Sequence, residues 1–384
     1  MKIALLTDGV YPYVIGGMQK HSIQLAKYFA KEKHTVYLFH CNASKYDINK
    51  LEFFSDEEKK YIRSYVIPFP HKRYFPFHYL FESRQYSALI HQSLAKVIGE
   101  IDFIYAQGFC AWDLIRNKKP TERPPVAMHF HGFEMFQKIP GLKSNVSKYF
   151  LREAVKDNVR KTDYCISYGG KITEILGKIT DREKIWEIPG NVGDTWFDEN
   201  KNQSAQPVRF VFEGRYERRK GIKELHAAIK KLLPAGGFTF DFIGPVPEEH
   251  KIIAPGITYH GQLSSEAVIK NIFTGADILV CPSYAEGMPY VVMEAMACGL
   301  AVIATDAGGV SQLVGNDNGW LLPRPDVSLI ADAMQQAMHN WGAVLEQKKR
   351  NSAEKIKHFR MDDLMKKLIH KMEESVKKVS SPRE

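Results

Sequence analysis

Two glutamates stand in an otherwise apolar stretch of this chain. Glu286 and Glu294 belong to the run EGMPYVVMEAMACG, in which seven residues separate them. A carboxylate accepts hydrogen bonds well from the hydroxyl groups of a polyol, because an ionised acceptor forms stronger bonds than a neutral one. The pair therefore indicates a sugar-binding site, although two glutamates that cap a helix or face solvent would give the same pattern.

The residues around this pair predict where each carboxylate lies. The apolar run ADILV before it is typical of a buried strand, and Pro289 suits the first turn of a helix, where the N–H that proline lacks is not needed. Glu286 should then lie on the loop at the strand's carboxyl end, and Glu294 about one turn into a helix that Gly299 ends. Backbone N–H groups at the start of that helix would face any bound anion.

A basic group follows another apolar run, VRFVFEG. Gly214 closes that run, and Arg215 and Lys220 follow it, five residues apart and just before Gly221. A guanidinium and an ammonium at the end of a strand can bind a diphosphate, the first as a planar fork and the second as a point charge. A solvated basic turn is the alternative, and the Walker phosphate-binding motif is absent.

A pair of glycines lies near the start of the chain. Gly16 and Gly17 separate the first apolar run, KIALLTD, from an amphipathic helical segment. Glycines allow backbone N–H groups to approach a phosphate closely, so this pair is a candidate phosphate-binding loop. The segment lacks G-x-G-x-x-G, which argues against a dinucleotide site, and a plain turn would explain it equally well.

Two histidines alternate along the run PVAMHFHG. His129 and His131 share one face of the predicted strand, and His131 lies at its carboxyl end. The pair could ligate a metal ion, but no third ligand stands out in the sequence. A single polar contact from His131 to a substrate is therefore the preferred interpretation, with a buried structural histidine as the alternative.

These residues must be positioned by a repeating pattern of strands and helices. Short apolar runs alternate with amphipathic helical segments along the whole chain, which predicts an α/β fold of two doubly wound parallel-sheet, Rossmann-like domains. Parallel sheets bind ligands at the carboxyl ends of their strands, so two such domains should face an interdomain cleft. The strand candidates are KIALLTD, HTVYLFHC, DFIYAQG, PVAMHFHG, YCISYG and KIWEIP, then VRFVFEG, FTFDFIG, ITYHG, DILVCPS, LAVIATD and GWLLP.

The polar run DENKNQSAQP separates the two series of strands and is the predicted linker. After the second series, the chain continues as basic helical sequence without further strands, and we expect these helices to pack back on the N-terminal domain. The predicted division is an N-terminal domain of residues 1–197, a linker of 198–207, a C-terminal domain of 208–342 and C-terminal helices of 343–384.

Composition restricts the class of protein. The 384 residues carry a formal net charge of +9 and are 44% hydrophobic, which is typical of a globular protein. No apolar run reaches the roughly 18 residues that a membrane span needs. Five scattered cysteines without a C-x-x-C motif favour a reducing compartment, so a cytoplasmic protein is expected. The positive charge suits nucleic acid, an anionic membrane or small anions, and ordinary solubility would also explain it.

Together these motifs resemble the family-4 retaining glycosyltransferases, which have the GT-B fold. The run PSYAEGMPYVVMEAMACGLAVIATDAGG carries that family's two glutamates, and GRYERRKG resembles its diphosphate-binding segment. PYVIGG resembles its glycine loop and HFHG its histidine strand. There are two departures: IPGNVGDTWF is one residue longer than the family's usual segment, and Ser311-Gln312 stands where Pro-Glu is common.

The resemblance implies a nucleotide-sugar donor, a glycan or lipid-linked acceptor, and no metal or other cofactor. It implies that Glu294 binds the ribose hydroxyls and Glu286 the transferred sugar. The implied catalytic residues are Glu286, His131, Arg215 and Lys220. The implied donor-binding residues are Gly16, Gly17, Gly214, Arg215, Lys220, Glu286, Gly287, Met288, Pro289, Tyr290, Val291 and Glu294. The product would be a cell-surface polysaccharide such as lipopolysaccharide, while a sugar-nucleotide epimerase and a non-catalytic sugar-nucleotide-binding protein are the alternatives.

A basic stripe is predicted on a helix of the N-terminal, acceptor-side domain, where four cations repeat every four residues. They are Lys148, Arg152, Lys156 and Arg160. With the aromatic and basic segment 60–84, this stripe could bind an anionic membrane surface at the inner face of the membrane, or a lipid-linked acceptor. A soluble acceptor with a merely solvated stripe is the alternative. Nucleic acid is not expected, because no recognition helix or aromatic platform is present.

Overall fold

The computed structural model describes residues 1–14, 16–41, 52–70, 78–140, 145–197, 204–263 and 265–380. Most of the predicted linker, residues 198–203, and the middle of the aromatic and basic segment, residues 71–77, lie outside the described residues.

The first half of the chain forms a domain around one parallel sheet. Its strands are Lys2–Leu6 (β1), Thr35–His40 (β2), Ile62–Val66 (β3), Phe103–Gln107 (β4), Val126–His129 (β5), Tyr164–Ser167 (β6) and Ile185–Glu187 (β7). Its helices are Gly17–Lys31 (α1), Asp56–Lys59 (α2), His78–Leu94 (α3), Trp112–Asn117 (α4), Asn145–Lys161 (α5) and Lys171–Gly177 (α6). The strand order is β3-β2-β1-β4-β5-β6-β7, and every pairing is parallel.

The second half forms a second parallel sheet. Its strands are Val208–Glu213 (β8), Phe238–Ile243 (β9), Ile257–Gly261 (β10), Ile278–Cys281 (β11), Ala301–Thr305 (β12) and Gly319–Leu322 (β13). The helices that follow are Ile222–Leu232 (α7), Glu266–Gly275 (α8), Tyr290–Ala297 (α9), Val310–Leu313 (α10), Val327–His339 (α11), Ala343–Ile356 (α12) and Met361–Ser380 (α13). The strand order is β10-β9-β8-β11-β12-β13. The predicted fold of two doubly wound α/β domains is therefore confirmed.

The apolar strands are covered on both faces. Along β1, Ala4 and Leu6 enter one hydrophobic core while Ile3 and Leu5 enter the core on the opposite face. Successive strand residues point to opposite faces, so a strand that is apolar at every position must lie between two layers of helices. This is why continuous apolar runs predicted the central strands correctly.

One strand was missed by the sequence prediction. Strand β3 lies in the segment 60–84, which was interpreted only as an aromatic and basic surface. It forms an edge of the first sheet, where Ile62 pairs with Val36 of β2. Because an edge strand has one neighbour and one open side, it tolerates polar residues such as Arg63 and Ser64, and its apolar signal is weak.

The C-terminal helices divide between the two domains. Helix α12 packs on the second domain, where Leu345 is fully buried. Helix α13 instead adds Leu364, Leu368 and Met372 to a core of the first domain. The expectation that all of 343–384 would pack on the N-terminal domain is thus wrong for α12, because its apolar side chains are buried in the core of the second domain.

The chain passes between the domains at two adjacent places. The backbone N–H of Val192 donates to the carbonyl of Phe359 at 3.1 Å, so the first crossing lies beside the second. Val192 belongs to IPGNVGDTWF, the segment that is one residue longer than the family pattern. The extra residue therefore lies where the domains are joined.

Both sheets reverse their strand order at one point, between β1 and β4 in the first domain and between β8 and β11 in the second. Such switch points leave a crevice at the carboxyl ends of the strands. The glycine loop, His131, the segment from Arg215 to Lys220 and Glu286 come after the carboxyl ends of β1, β5, β8 and β11 respectively.

We predict that Leu368→Ala lowers the free energy of unfolding by about 2–5 kcal/mol, because it leaves a cavity in the core beneath α13. The Leu368 side chain is 1% exposed. The matched control is Lys367→Ala on the exposed face of the same helix, which should change stability by less than about 0.5 kcal/mol. Chemical denaturation of both variants measures the difference, and equal stabilities would show that α13 does not support the first domain.

Candidate active site

The loop after β11 is held from both domains. The side-chain amide of Gln137, in the first domain, donates to the Glu286 carbonyl at 2.8 Å. The backbone N–H of Gly309 donates to the Gly287 carbonyl at 2.6 Å. A side chain at Gly287 would collide with the backbone carbonyl of His131, so only glycine allows this close approach of the two domains. The loop that carries Glu286 therefore forms one wall of the cleft and touches the other.

The carboxylate of Glu286 is buried in an ion pair. Lys220 Nζ lies 2.6 Å from Glu286 Oε1, and Arg219 Nη1 lies 3.8 Å from Glu286 Oε2. Burial alone would raise the pKa of Glu286, but the two cations outweigh it and hold the pKa below its ordinary value. Glu286 is thus ionised at neutral pH. Sequence reasoning missed Arg219, which was one of three adjacent cations with nothing to distinguish it.

The turn that carries Lys220 is tightly fixed. Gly221 follows it with a φ of 67°, and a side chain there would collide with the carbonyl of Pro282. Because glycine adopts this left-handed conformation without strain, the basic turn can lie directly against the chain that leads to Glu286. This contact explains the Lys-Gly step in GRYERRKG.

The structure does not place Arg215 beside Lys220. Gly214 ends the β8 strand as predicted, but the Arg215 side chain is 69% exposed and pairs with Glu217 at 3.0 Å. Its guanidinium would have to rotate into the cleft to bind a diphosphate together with Lys220. An exposed ion pair contributes little stability, so this rotation is inexpensive.

Glu294 lies in a very different environment from Glu286. Helix α9 begins at Tyr290 with Pro289 as its N-cap, which agrees with the predicted helix and puts Glu294 just over one turn in. Desolvation raises the pKa of Glu294 to about 8, and the nearby Glu213 carboxylate adds to the rise. Burial also raises the pKa of Glu213, to about 6. Two partly buried carboxyl groups therefore stand together, and Glu294 holds its proton at neutral pH.

A lysine from the first domain reaches this acidic group. Lys20 lies on α1, and its ammonium is 3.2 Å from Glu266 of α8 and near Glu294. Gly17 is the first residue of the same helix and Gly16 its N-cap, so the glycine loop lies at the end of α1 from which Lys20 reaches Glu266 of the second domain. Sequence reasoning missed Lys20, because nothing in the local pattern distinguishes it from other helical lysines.

The histidines form a buried cluster at the cleft. The rings of His129 and His131 stack with centroids 4.1 Å apart. His131 Nδ1 lies 2.7 Å from the hydroxyl of Tyr168, and its Nε2 lies 3.1 Å from Gln107 Oε1. Burial holds the pKa of both rings well below the ordinary value, so His131 is neutral and can make hydrogen bonds without adding charge. A third ring, His21, lies 4.8 Å from His131.

Three of the expected donor-binding residues have packing contacts of their own. Met288 Sδ lies 2.9 Å from the backbone N–H of Gly190, so this side chain joins the loop to the interdomain crossing. Tyr290 and Val291 pack against the core beneath α9.

A cavity of about 580 Å³ lies between the domains, on the side of the loop where Gln137 reaches it. Its walls include Ser283 and Thr305 at the ends of strands, and α6 of the first domain. The ion pair of Lys171 with Asp306, at 2.8 Å, crosses between the domains in this wall. The cleft thus has free space next to the Glu286 loop.

The second sequence departure also lies at this seam. Gln312 and Ser311 pack against the backbone of Gly169 and Gly170 in the first domain. The structure therefore gives these two residues a contact between the domains.

The predicted basic stripe lies on α5, but its cations differ in their contacts. The guanidinium of Arg152 donates to the carbonyl of Met135 and lies 5.9 Å from the ring of Phe136. Lys156 pairs with Glu153 at 2.7 Å. Arg152 therefore supports the segment that ends in Gln137, which contacts the Glu286 loop. Within the described ranges, no helix is both long and apolar enough to cross a membrane.

Comparison with known proteins identifies the family. The model of Glycosyltransferase Family 4 matches residues 15–192, and the model of Glycosyl transferases group 1 matches residues 207–340. The two matches fall on the two domains and together cover most of the chain. This chain therefore belongs to the family-4 glycosyltransferases and has the GT-B fold.

Individual proteins agree with this assignment. A Bacillus subtilis glycosyltransferase named for teichuronic acid biosynthesis is 37% identical over 129 residues, which are 34% of this chain and 32% of that protein. The match thus spans about a third of that relative's length. The structure of sucrose-phosphate synthase from Thermosynechococcus elongatus superposes with a TM-score of 0.76 at 19% identity, over 97% of this chain and 98% of that one. Anabaena HepE, solved in complex with UDP-glucose, has a TM-score of 0.67 at 16% identity, over 97% and 100%. Both structures support the fold.

Substitution of Glu294 and of Glu286 by glutamine should change the stability of the protein in opposite directions. Glu294→Gln is taken first. The folded pKa of about 8 is above the ordinary 4.5, so folding takes up a proton and wild-type stability falls as pH rises from 4.5 to 8. Glutamine does not titrate, so a glutamine at this position does not lose stability as pH rises. The melting temperature of Glu294→Gln relative to wild type should therefore increase with pH across that window.

Glu286→Gln should instead destabilise, by about 3–5 kcal/mol at neutral pH, because it leaves Lys220 buried without its partner. The folded pKa of Glu286 is lowered, so its stabilising contribution is present above the ordinary value and is lost as pH falls through the lowered one. Thermal unfolding of both variants over a pH series measures the two trends. The same sign for both would contradict the assigned environments.

Proposed function

We propose that this protein is a metal-independent, retaining hexosyltransferase that works in the cytoplasm. It transfers a sugar from a nucleotide-sugar donor to a glycan or lipid-linked acceptor in polysaccharide biosynthesis. The observation that carries this proposal is the buried pair of Lys220 and Glu286, 2.6 Å apart, on a loop that touches His131 across the cleft. The name of the teichuronic acid relative supports the pathway class. The UDP-glucose complex of HepE makes UDP-sugars the first donors to test.

Donor binding would exchange one set of ionic partners for another. A diphosphate at the end of β8 attracts Lys220, while the hydroxyl groups of the transferred sugar replace the ammonium as hydrogen-bond donors to Glu286. A buried charge left without a partner is costly, so this exchange keeps both charges compensated throughout. Arg215 then rotates from Glu217 to the diphosphate, which its planar fork fits.

Glu294 would bind the nucleotide's ribose. Its position in α9, beside Lys20 of the first domain, places the ribose at the seam of the cleft. With a pKa of about 8 the carboxyl group is protonated in the free protein. Ribose hydroxyls that donate to the carboxylate favour its ionised form, so donor binding should release a proton near neutral pH.

The transfer step needs no protein nucleophile. The acceptor oxygen forms a bond to the sugar's anomeric carbon on the face from which the diphosphate departs, and the bond from that carbon to the phosphate oxygen breaks. The acceptor's proton passes to the leaving phosphate oxygen. Lys220 and Arg215 stabilise the negative charge that develops there, and neutral His131 offers a hydrogen bond to the sugar.

The activity test is a screen for slow hydrolysis of UDP-, GDP- and ADP-sugars by the purified protein. Release of free sugar and nucleoside diphosphate supports a transferase. A donor recovered with an inverted sugar centre would indicate an epimerase, and tight binding without any turnover would indicate a binding protein. Either result would overturn the proposal.

The roles of the two glutamates can be separated with the donor found in that screen. Glu294→Gln should weaken both the nucleoside diphosphate and the intact donor by about 1–3 kcal/mol, since it loses charge-assisted bonds to ribose. Glu286→Gln should bind the bare diphosphate at least as well as wild type, because Lys220 is freed, while turnover falls. Calorimetric titration of each variant with each ligand measures this.

The matched control for these titrations is Glu249→Gln, an exposed glutamate of the second domain, which should bind both ligands as wild type does. If Glu286→Gln weakens the bare diphosphate and Glu294→Gln does not, the two roles are reversed. If neither variant changes either titration, the pair is structural only.

Peripheral binding to an anionic membrane is part of the proposal. It is supported by the cations of α5 and by the exposed Tyr149 and Phe150 on the same helix, which are 59% and 50% exposed. An aromatic pair beside cations is typical of segments that lie in a membrane interface. Arg152 is excluded from the test below because it supports the cleft.

We expect the triple variant Lys148→Gln, Lys156→Gln, Arg160→Gln to bind anionic vesicles about 100-fold more weakly, at about 1 kcal/mol per charge. The control removes the same charge from exposed lysines of α7 in the second domain: Lys223→Gln, Lys230→Gln and Lys231→Gln. Sedimentation with phosphatidylserine vesicles at low salt measures both. If the two triple variants bind vesicles equally, or if the wild type does not sediment with them, the stripe is only a solvated surface and the acceptor is soluble.

A further inference from the structure

Three histidines from two elements meet beside the cleft. His21 lies on α1, His129 ends β5 and His131 follows it. One ring nitrogen of each lies within 4.8 Å of one ring nitrogen of each of the others. His21 and His129 are 4% and 1% exposed. The sequence offered His129 and His131 as a possible pair of metal ligands without a third, and the fold supplies the third from the helix after the glycine loop.

All three rings are in the form that binds metals. Burial lowers the pKa of His21 to about 4 and holds those of His129 and His131 well below the ordinary 6.5. Each ring is therefore a neutral imidazole at neutral pH, with one nitrogen that carries a lone pair. Neutral imidazole is a good ligand for Zn²⁺, Co²⁺, Ni²⁺ and Cu²⁺, and a poor one for Mg²⁺ and Ca²⁺.

The remaining hydrogen bonds leave nitrogens available. His129 Nδ1 contacts the hydroxyl of Tyr105 at 2.8 Å, while His129 Nε2 is buried and has no hydrogen-bond partner within the described part of the chain. His21 Nδ1 is likewise buried and without such a partner among the described residues. His131 Nε2 donates to the carbonyl oxygen Gln107 Oε1, and Nδ1 accepts from the Tyr168 hydroxyl. When a metal replaces Gln107 at Nε2, the ring proton moves to Nδ1, which then donates to the Tyr168 oxygen. Oxygen groups that hold the outer nitrogens are the usual second layer of a histidine metal site.

We propose that His21, His129 and His131 bind one divalent transition-metal ion of the zinc class, and that the bound ion inhibits sugar transfer. Zinc–nitrogen bonds of about 2.0–2.1 Å in tetrahedral geometry place the nitrogens about 3.4 Å apart, so ring movements of about 1 Å would close the site. A bound metal ion is coordinated by the lone pair of His131 and holds the ring where it cannot contact the sugar. The inhibition rests on the proposed function, whereas the metal site does not.

The metal site is tested on the full chain by titration with Co²⁺ alone, after EDTA treatment and removal of the chelator. One equivalent should bind, with visible absorption bands of Co²⁺ in a nitrogen-ligand site. Loss of a group that only hydrogen-bonds a metal-binding histidine costs about 10–100-fold in metal affinity. His21→Gln and His129→Gln each remove a ligand itself, so each should lower Co²⁺ affinity at least about 100-fold. The control is His226→Gln, another buried histidine, which lies in the second domain and should bind Co²⁺ as wild type does.

Thermal unfolding shows which variants are folded. Tyr105→Phe keeps all three histidines and removes only the hydroxyl that contacts His129, so it should weaken Co²⁺ about 10–100-fold even if a histidine variant fails to fold. No Co²⁺ absorption by the wild type, or unchanged affinity in the His21, His129 and Tyr105 variants, overturns the site.

The inhibition is tested with the donor-hydrolysis assay. Wild-type turnover should persist in excess EDTA, fall with Zn²⁺ and be unaffected by the same concentration of Mg²⁺. In the presence of Zn²⁺, the His21→Gln variant should keep a far larger fraction of its metal-free rate than the wild type keeps of its own. Co²⁺ binding together with Zn²⁺-resistant wild-type turnover would overturn the inhibition. Absence of turnover in every protein would count against the proposed function, while the Co²⁺ titration still decides the metal site.

Discussion

The buried ion pair between Lys220 and Glu286 is the interaction on which the site depends. It joins the turn after β8 to the loop after β11, the two strands that flank the switch point of the second sheet. Neither group can be buried alone, because an unpaired charge in the interior costs several kcal/mol. The pair therefore requires a close approach of the two loops, which Gly221 allows, while Gly287 allows the Glu286 loop to lie against His131 of the first domain.

The same constraint explains why two glutamates seven residues apart behave differently. Glu286 has cations within reach and holds its charge, whereas Glu294 stands beside Glu213 and loses its charge by protonation. Burial raises the pKa of both carboxyl groups; it dominates at Glu294, where Glu213 adds to it, whereas at Glu286 the two cations outweigh it. Under the proposed function, the hydroxyl groups of the transferred sugar replace Lys220 as the partner of Glu286, and the ribose hydroxyls donate hydrogen bonds to Glu294.

The cleft exists because the two domains are fastened at several places. The last helix crosses back to the first domain, the crossings lie side by side at Val192 and Phe359, and Lys171 pairs with Asp306 across the seam. These contacts set the distance between the two sheet edges. That distance decides whether His131 meets the Glu286 loop, so remote packing residues such as those of α13 belong to the architecture of the site.

The amino-acid sequence by itself determined twelve of the thirteen strands in the described ranges, the parallel sheets and the glutamate, glycine and basic motifs at strand ends. It could do so because each of these signals is local: apolar runs, a proline before a helix, a glycine after a cation. It failed for β3, whose place at the sheet edge removes the apolar signal. Only the tertiary structure brought His21, Lys20 and Arg219 to the cleft. It also placed α12 on the second domain and α13 on the first. Contacts between residues far apart in the chain depend on how helices pack and domains dock, and no local pattern of residue types records that geometry.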